Sequence, residues 1–240
     1  MPDSFTLAVP GHAELRLSTS SGKITVVAEE RDDVLVEGGV RSPDDVERDP
    51  IGRMRLTSAR GGASDLQLRC PTGTDLVVGT ISGHADLRGR FGVVRITTVS
   101  GSVEAEAADE LDVRSISGSI RVESCASGCL LRTKSGRTEI GRARDAEIST
   151  ISGKIRLDEA SGTVRAQTVS GSIEIGTERD GDVGVQTMSG SVRVAVPEGV
   201  RPHTRLRSLS GRPRSDCEEG SDCQIAVRSL SGSIEVVRRP

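Results

Sequence analysis

The side chains that could perform chemistry are few. Cys217 and Cys223 bracket the segment CEEGSDC, with Asp216, Glu218, Glu219 and Asp222 alongside. Two thiols among carboxylates can ligate zinc or close a small disulfide. This spacing is not that of a paired-cysteine knuckle, however, and no second Cys or His pair lies near in sequence. The segment reads as an acidic loop lengthening one repeat; no metal or cofactor is assigned, and Cys217 and Cys223 stay as its weak candidates. Cys129 falls at an inward position and Cys125 in the adjoining turn, so Cys129 reads as a small core residue. His12, His84 and His203 are scattered, and His84 fills an outward slot taken elsewhere by Ser102 and Ser119. RDGDVG at 179–184 has the look of a calcium-binding solenoid loop, but the glycine-rich nonapeptide does not recur, and one copy is a turn. No G-x-x-x-x-G-K-[ST] is present.

Serine is the remaining nucleophile, and it is written many times. SGSI occurs at 117–120, 170–173 and 231–234, with near-copies at 100–103, 152–155 and 189–192. A catalytic serine would be unique, so these serines mark the joint of a repeat. The anchors are Gly22, Gly83, Gly101, Gly118, Gly136, Gly153, Gly171, Gly190, Gly211 and Gly232; from Gly83 onward they are 17 to 21 residues apart. The gap between Gly22 and Gly83 leaves room for two degenerate copies, one near Gly61 or Gly62 and one around Gly38 to Ser42.

Apolar residues lie seven and five positions before each glycine (Leu111 and Val113, Ile225 and Val227) and two and four after it (Ile120 and Val122, Ile234 and Val236). Period two on both sides of the joint, rich in β-branched residues, predicts strands and excludes helix almost throughout. Strands this short cannot bury a face alone, so the copies must stack in register. The expected fold is all-β, a parallel β-solenoid resembling a single-stranded β-helix, with about ten to twelve coils of 17–21 residues. One solenoid domain is expected over 1–240: a cap and irregular first coils over 1–75, carrying a charged loop at 41–50, and regular Ser-Gly coils over 76–237.

The parity of the apolar positions changes across the joint, so each coil turns over there. The preferred placement puts the corner at the Thr or Ser three before the glycine. That turns the row two before it (Ile81, Val99, Ile116, Lys134, Ile151, Val169, Met188, Leu209, Leu230), apolar in all but one copy, inward and the serines outward. The rival placement bends at the glycine with positive φ, turns the Thr inward and leaves the apolar row on the surface. The first is preferred because so apolar an exposed row would invite aggregation. Three residues after each glycine, Glu104, Arg121, Glu139, Arg156, Glu174 and Arg193 alternate in sign and predict a solvated charge ladder; the step from Arg193 to Arg214 breaks it.

At these residues the chain resembles the bacterial "putative adhesin" β-strand-repeat family (domain of unknown function 4097), whose members carry runs of T-V-S-G-S-I and S-I-S-G-S-I. The matching copies are 98–103, 115–120, 150–155, 168–173 and 229–234. The resemblance implies a β-solenoid-like domain, often bacterial, with some members tied to envelope stress and others to the cell surface. It supplies no catalytic residues.

Composition removes several function classes. With 32 basic against 35 acidic residues the net charge is -3, and with no Trp, no Tyr and only Phe5 and Phe91 there is no stacking platform, so nucleic acid is not an expected partner. Sugar-processing sites need clustered carboxylates and usually aromatic platforms, which ranks a polysaccharide-active enzyme low. The start, MPDSFTLAVPG, has no signal-peptide pattern and no stretch reaches membrane-spanning length, so the expectation is cytoplasmic, with surface association left open. The expected function is a non-enzymatic structural or interaction scaffold for an unknown protein or envelope component. The alternatives are a filament growing by end-to-end self-association, or an ice-binding surface, or that enzyme.

Overall fold

The computed structural model describes residues 4–8, 14–38, 46–48, 53–57, 65–179 and 181–239. Val9, His12, Asp180, most of the 41–50 loop and the degenerate copy near Gly61 or Gly62 lie outside them. The described residues are strand and turn throughout, without helix. They fall into two compact units, 1–123 and 124–240.

The strands are β1 (Phe5–Ala8), β2 (Glu14–Thr19), β3 (Lys23–Glu29), β4 (Asp33–Gly38), β5 (Val46–Arg48), β6 (Met54–Thr57), β7 (Leu66–Pro71), β8 (Asp75–Thr80), β9 (His84–Ser100) and β10 (Val103–Ser117), then β11 (Ile120–Ala160), β12 (Thr163–Thr177), β13 (Asp182–Ser189), β14 (Val192–Pro197), β15 (His203–Ser210), β16 (Pro213–Ser215), β17 (Gln224–Ser231) and β18 (Ile234–Arg239). The longest of them run through several corners without losing the ladder, because each coil's strands pair with equivalent strands one level away. The fold is a parallel β-solenoid.

In the first unit, one column of strands is β6–β2–β8–β9–β10, aligned through Met54, Leu15, Leu76, Val94 and Leu111. The column following the corner is β7–β3–β9–β10, aligned through Leu66, Ile24, Ala85 and Val103. These residues are almost wholly buried. Alternation of side chains along each strand sends the apolar set inward and the charged set out. Phe91 is also fully buried. Antiparallel β4 covers β7, β1 covers β4, and β5 covers β6, so both strands of the outermost coil are capped.

In the second unit the columns are β11–β12–β13–β17–β15 and β11–β12–β14–β18–β16. Chain order and stacking order differ in both units. β2 and β3 lie between β6 and β7 on one side and β8 and the start of β9 on the other, and the 224–239 coil lies between those at 182–197 and 203–215. The coil carrying Val236 is therefore interior, and the 203–215 coil is outermost among the described residues of this unit. This order also mends the break in the charge row: Arg193 pairs in register with Glu235, and Glu235 with Arg214, so the signs alternate from Glu174 through Arg214.

Candidate interaction surface

Each corner is built from four consecutive positions. The Thr or Ser three before the glycine points inward: Thr80, Thr98, Ser115, Thr133, Thr150, Thr168, Thr187 and Ser229 are all buried. Most of these hydroxyls donate to the carbonyl of the Ser two residues on, as Thr168 does to Ser170 (3.2 Å) and Thr133 to Ser135 (3.0 Å). In the Gly83 corner the Thr80 hydroxyl instead accepts from the glycine amide at 2.9 Å. Such local bonds satisfy a polar group that burial would otherwise penalise.

The turn itself is made at the glycine. Gly22, Gly118, Gly136, Gly153, Gly171, Gly190 and Gly232 all have φ between 108° and 147°, a region closed to side-chain-bearing residues. The glycines also stack backbone to backbone. A Cβ on Gly101, Gly118, Gly153, Gly171, Gly190 or Gly232 would overlap the carbonyl oxygen of the glycine one level below.

This geometry overturns the preferred corner placement. The bend is at the glycine, the Thr is inside, and the apolar row lies on the surface. In the first unit Ile81, Val99 and Ile116 are 42 to 55% exposed; in the second, Ile151, Val169, Met188, Leu230 and Leu209 are 43 to 82% exposed, with Leu209 the most open. Aggregation does not force the row inward, because most corner hydroxyls find a backbone partner and so can occupy the interior. The sign that could have located the row was the recurring Thr three before the glycine, whose inward hydroxyl mostly bonds the carbonyl two residues on.

The stacking order runs Val169, Met188, Leu230, Leu209 along the corner. At a spacing of about 4.8 Å per level, the row from Ile151 to Leu209 forms a ridge roughly 19 Å long. Serines at the next position are exposed or half-buried along it, and Gln167, Gln186, Arg228 and Arg207 flank its other side. An apolar strip with a polar rim is the anatomy of a docking surface.

The other predicted positions are dispersed. Cys223 is buried in the coil interior, whereas Cys217 is half-buried against Arg238, and no disulfide joins them. Among the described residues no group of three or more His, Cys, Asp or Glu gathers as a metal site. Cys125 and Cys129 are both buried, Cys125 donating to the Gly128 carbonyl at 3.1 Å. The hydrogen bond with Cys125, together with burial, pushes the Cys129 thiol up. His84 is half-buried and shares a hydrogen bond with Ser102 one level away, while His203 accepts from Arg205 at 3.2 Å. From Arg156 through Glu174 to Arg193 the charge row is in register as expected, but the closest bonds lie outside it: Glu174 takes Lys154 diagonally at 3.0 Å and Arg156 turns along its own strand to Asp158 at 2.7 Å, while Arg121 reaches Glu104 at 3.9 Å.

A shallow basin of about 460 Å³ opens on the second unit, lined by Arg156, Asp158, Glu174, Arg193 and Arg239 over the small residues Gly176 and Ala195. Its two carboxylates are held by Arg156 and Lys154.

A coil of two short strands joined by a glycine corner, repeated with the corner Thr turned inward, defines a class of β-repeat domain. The chain belongs to the Toastrack DUF4097 family, whose model matches residues 92–236. Two solved structures share the fold: a "putative adhesin" from Bacteroides fragilis, 13% identical, with a TM-score of 0.53 over 98% of this chain and 96% of that one, and a "putative lipid binding protein" from Parabacteroides distasonis, 14% identical, with a TM-score of 0.59 over the same shares. No curated protein matches the chain.

Proposed function

We propose that this protein is a non-enzymatic interaction scaffold that holds a protein partner along the apolar ridge of its corners. The observation that carries the reading is the exposed row from Ile151 through Leu209. Full burial of such a side chain is worth about 1.5 to 3 kcal/mol. These are already about half out of water, so a single contact is too weak to offset association costs of about 4 kcal/mol or more, and a partner must follow several levels. An envelope component is the partner class that the family resemblance supports. The pairing of both basin carboxylates with basic side chains supports binding over turnover.

A photoreactive benzoylphenylalanine placed at Met188, and for comparison at exposed Glu147, tests the reading in the native cell. A protein adduct specific to Met188, lost when Val169→Asp is added without change in thermal unfolding, is the expected result. Equal labelling from both positions, or turnover of a polysaccharide abolished by Asp158→Asn or Glu174→Gln alone, overturns it.

A further inference from the structure

The outermost coil of the second unit is left open. β15 forms its ladder with β17, and no strand lies in register on its other side among the described residues. The corresponding coil of the first unit has antiparallel strands over both of its edges. The His203 amide donates to the Cys223 carbonyl at 2.8 Å, so His203, Arg205, Arg207 and Leu209 turn their backbone groups toward β17. Successive residues of a strand alternate sides, which leaves the amides and carbonyls of Thr204, Leu206 and Ser208 directed at the open edge. Their side chains, on the interior face, are only half-buried, unlike the corresponding Ile225 and Val227 one level in.

The charge on this edge is of one sign. Arg205, Arg207 and Arg212 are exposed, and Arg207 stands in register beside Arg228. None of the four has a carboxylate within 4 Å among the described residues, in contrast to Arg88, Arg90, Arg114 and Arg156, each of which holds an aspartate. The nearby acidic loop does not neutralise them: Glu219 faces His203, Asp222 faces Arg201 and Glu218 faces Arg238. A second copy meeting this edge with its own β15 would set arginine against arginine, which cross-strand pairing opposes.

The geometry points to β15 as the acceptor strand for an extended acidic segment of a partner protein, added in register as a further level of the stack. Backbone bonds to Thr204, Leu206 and Ser208 hold it. Acidic side chains opposite Arg205 and Arg207 select it, an apolar side chain opposite Leu206 closes the half-open interior, and one opposite Leu209 continues the corner ridge. This edge meets the ridge only at Leu209, and its backbone bonds form whether or not the ridge is occupied.

The probe is an acetylated, amidated Thr-Glu-Val-Glu-Thr-Val peptide with a fluorescent tag, compared with its Thr-Lys-Val-Lys-Thr-Val counterpart by anisotropy on the full chain. Saturable binding of the acidic peptide alone is expected, weakening with salt and at least tenfold weaker for Arg205→Glu with Arg207→Glu, both solvent-facing. Two N-methylated forms, blocked on alternate edges of the peptide, need no variant of the protein: one should lose binding at least tenfold and the other retain it. Equal binding of the two forms shows charge attraction without strand addition and overturns the proposal. So does the absence of saturation at millimolar peptide, or a sedimenting dimer that Arg205→Glu with Arg207→Glu alters. Arginine-dependent capture by phosphatidylglycerol vesicles without peptide binding overturns it in favour of a membrane surface.

Discussion

Gly190 stacks against the carbonyl of Gly171 so closely that a methyl group at Gly190 would overlap the Gly171 oxygen, and its φ is 137°. Two separate penalties therefore meet at one atom. A left-handed conformation costs a side-chain-bearing residue about 1 to 2 kcal/mol, and overpacking against an immobile neighbour adds about 1 to 3 kcal/mol. Gly190→Ala should lower the unfolding free energy by roughly 2 to 5 kcal/mol in urea titration. Gly184 is the control: a Cβ there meets only the Val164 oxygen at 3.8 Å, and Gly184→Ala should change stability by under about 1 kcal/mol. Equal effects at the two sites would refute the stacking requirement.

The corner threonines separate into two kinds. Thr168 donates to the Ser170 carbonyl at 3.2 Å, whereas the buried Thr98 hydroxyl has no hydrogen-bond partner. Thr168→Val removes a bond and leaves a carbonyl short of a donor, a loss of about 1 kcal/mol. Thr98→Val replaces an unsatisfied hydroxyl with a methyl of similar shape and should be neutral or stabilising. Thermal unfolding of the two variants, side by side, makes the comparison; a greater loss at Thr98 would contradict the assignment of partners.

Stacking order was legible only in part, for a physical reason. Every regular coil offers the same in-register ladder, so Ile225 and Val227 fit against Val183 and Val185 as well as Thr204 and Leu206 do, and local pattern cannot choose between them. Two signs did point to the order. Glycine separations rise to 21 over Gly190, Gly211 and Gly232, which gives the connections length to pass a level and return. The charge row breaks between Arg193 and Arg214 unless Glu235 lies between them. The strands and anchors were readable because period two survives in each copy. The apolar ridge was not, because parity shows that the chain turns over but leaves the place of the bend to the Thr hydroxyl and the glycine φ.

That order has a direct chemical test. Adjacent parallel strands lie about 4.8 Å apart, inside the Cα separation of about 4.4 to 6.8 Å that a disulfide spans. Arg193 and Glu235 are register partners on neighbouring levels, so Arg193→Cys with Glu235→Cys should crosslink under mild oxidation. Arg193 and Arg214 are two levels apart, roughly 9.6 Å, so Arg193→Cys with Arg214→Cys should not. Peptide mapping after oxidation reads both; the reverse pattern would restore the sequential order of coils.

Asp86 gives the first unit an acid-sensitive contact. Burial alone would raise its pKa, but hydrogen bonds and charge from Arg88 and Lys23, both at 2.9 Å, outweigh it and hold the carboxyl below its ordinary 3.8. With the folded value the lower one, the carboxylate's stabilisation is complete above the unfolded value and disappears as pH falls through the folded one. Asp86→Asn should therefore lower the melting temperature at pH 7 and flatten its fall below about pH 4. An unchanged acid limb in the variant would show that the two ion pairs contribute nothing at this site.

Thiol reactivity should rank the five cysteines by burial. Cys70, Cys125, Cys129 and Cys223 are buried, and burial pushes the Cys70 thiol up to about 11, so little thiolate forms there near neutral pH. Cys217 is the half-exposed one; burial raises its pKa too, with Arg238 acting against the rise. Because the thiolate is the reacting species, an aromatic disulfide reagent at pH 8 should label Cys217 alone in the native protein, slowly, and all five on unfolding. The rate at Cys217 should rise with pH while the other four stay protected by the fold. Early modification of Cys223 would place it nearer the solvent, and so nearer Cys217, than the structure does.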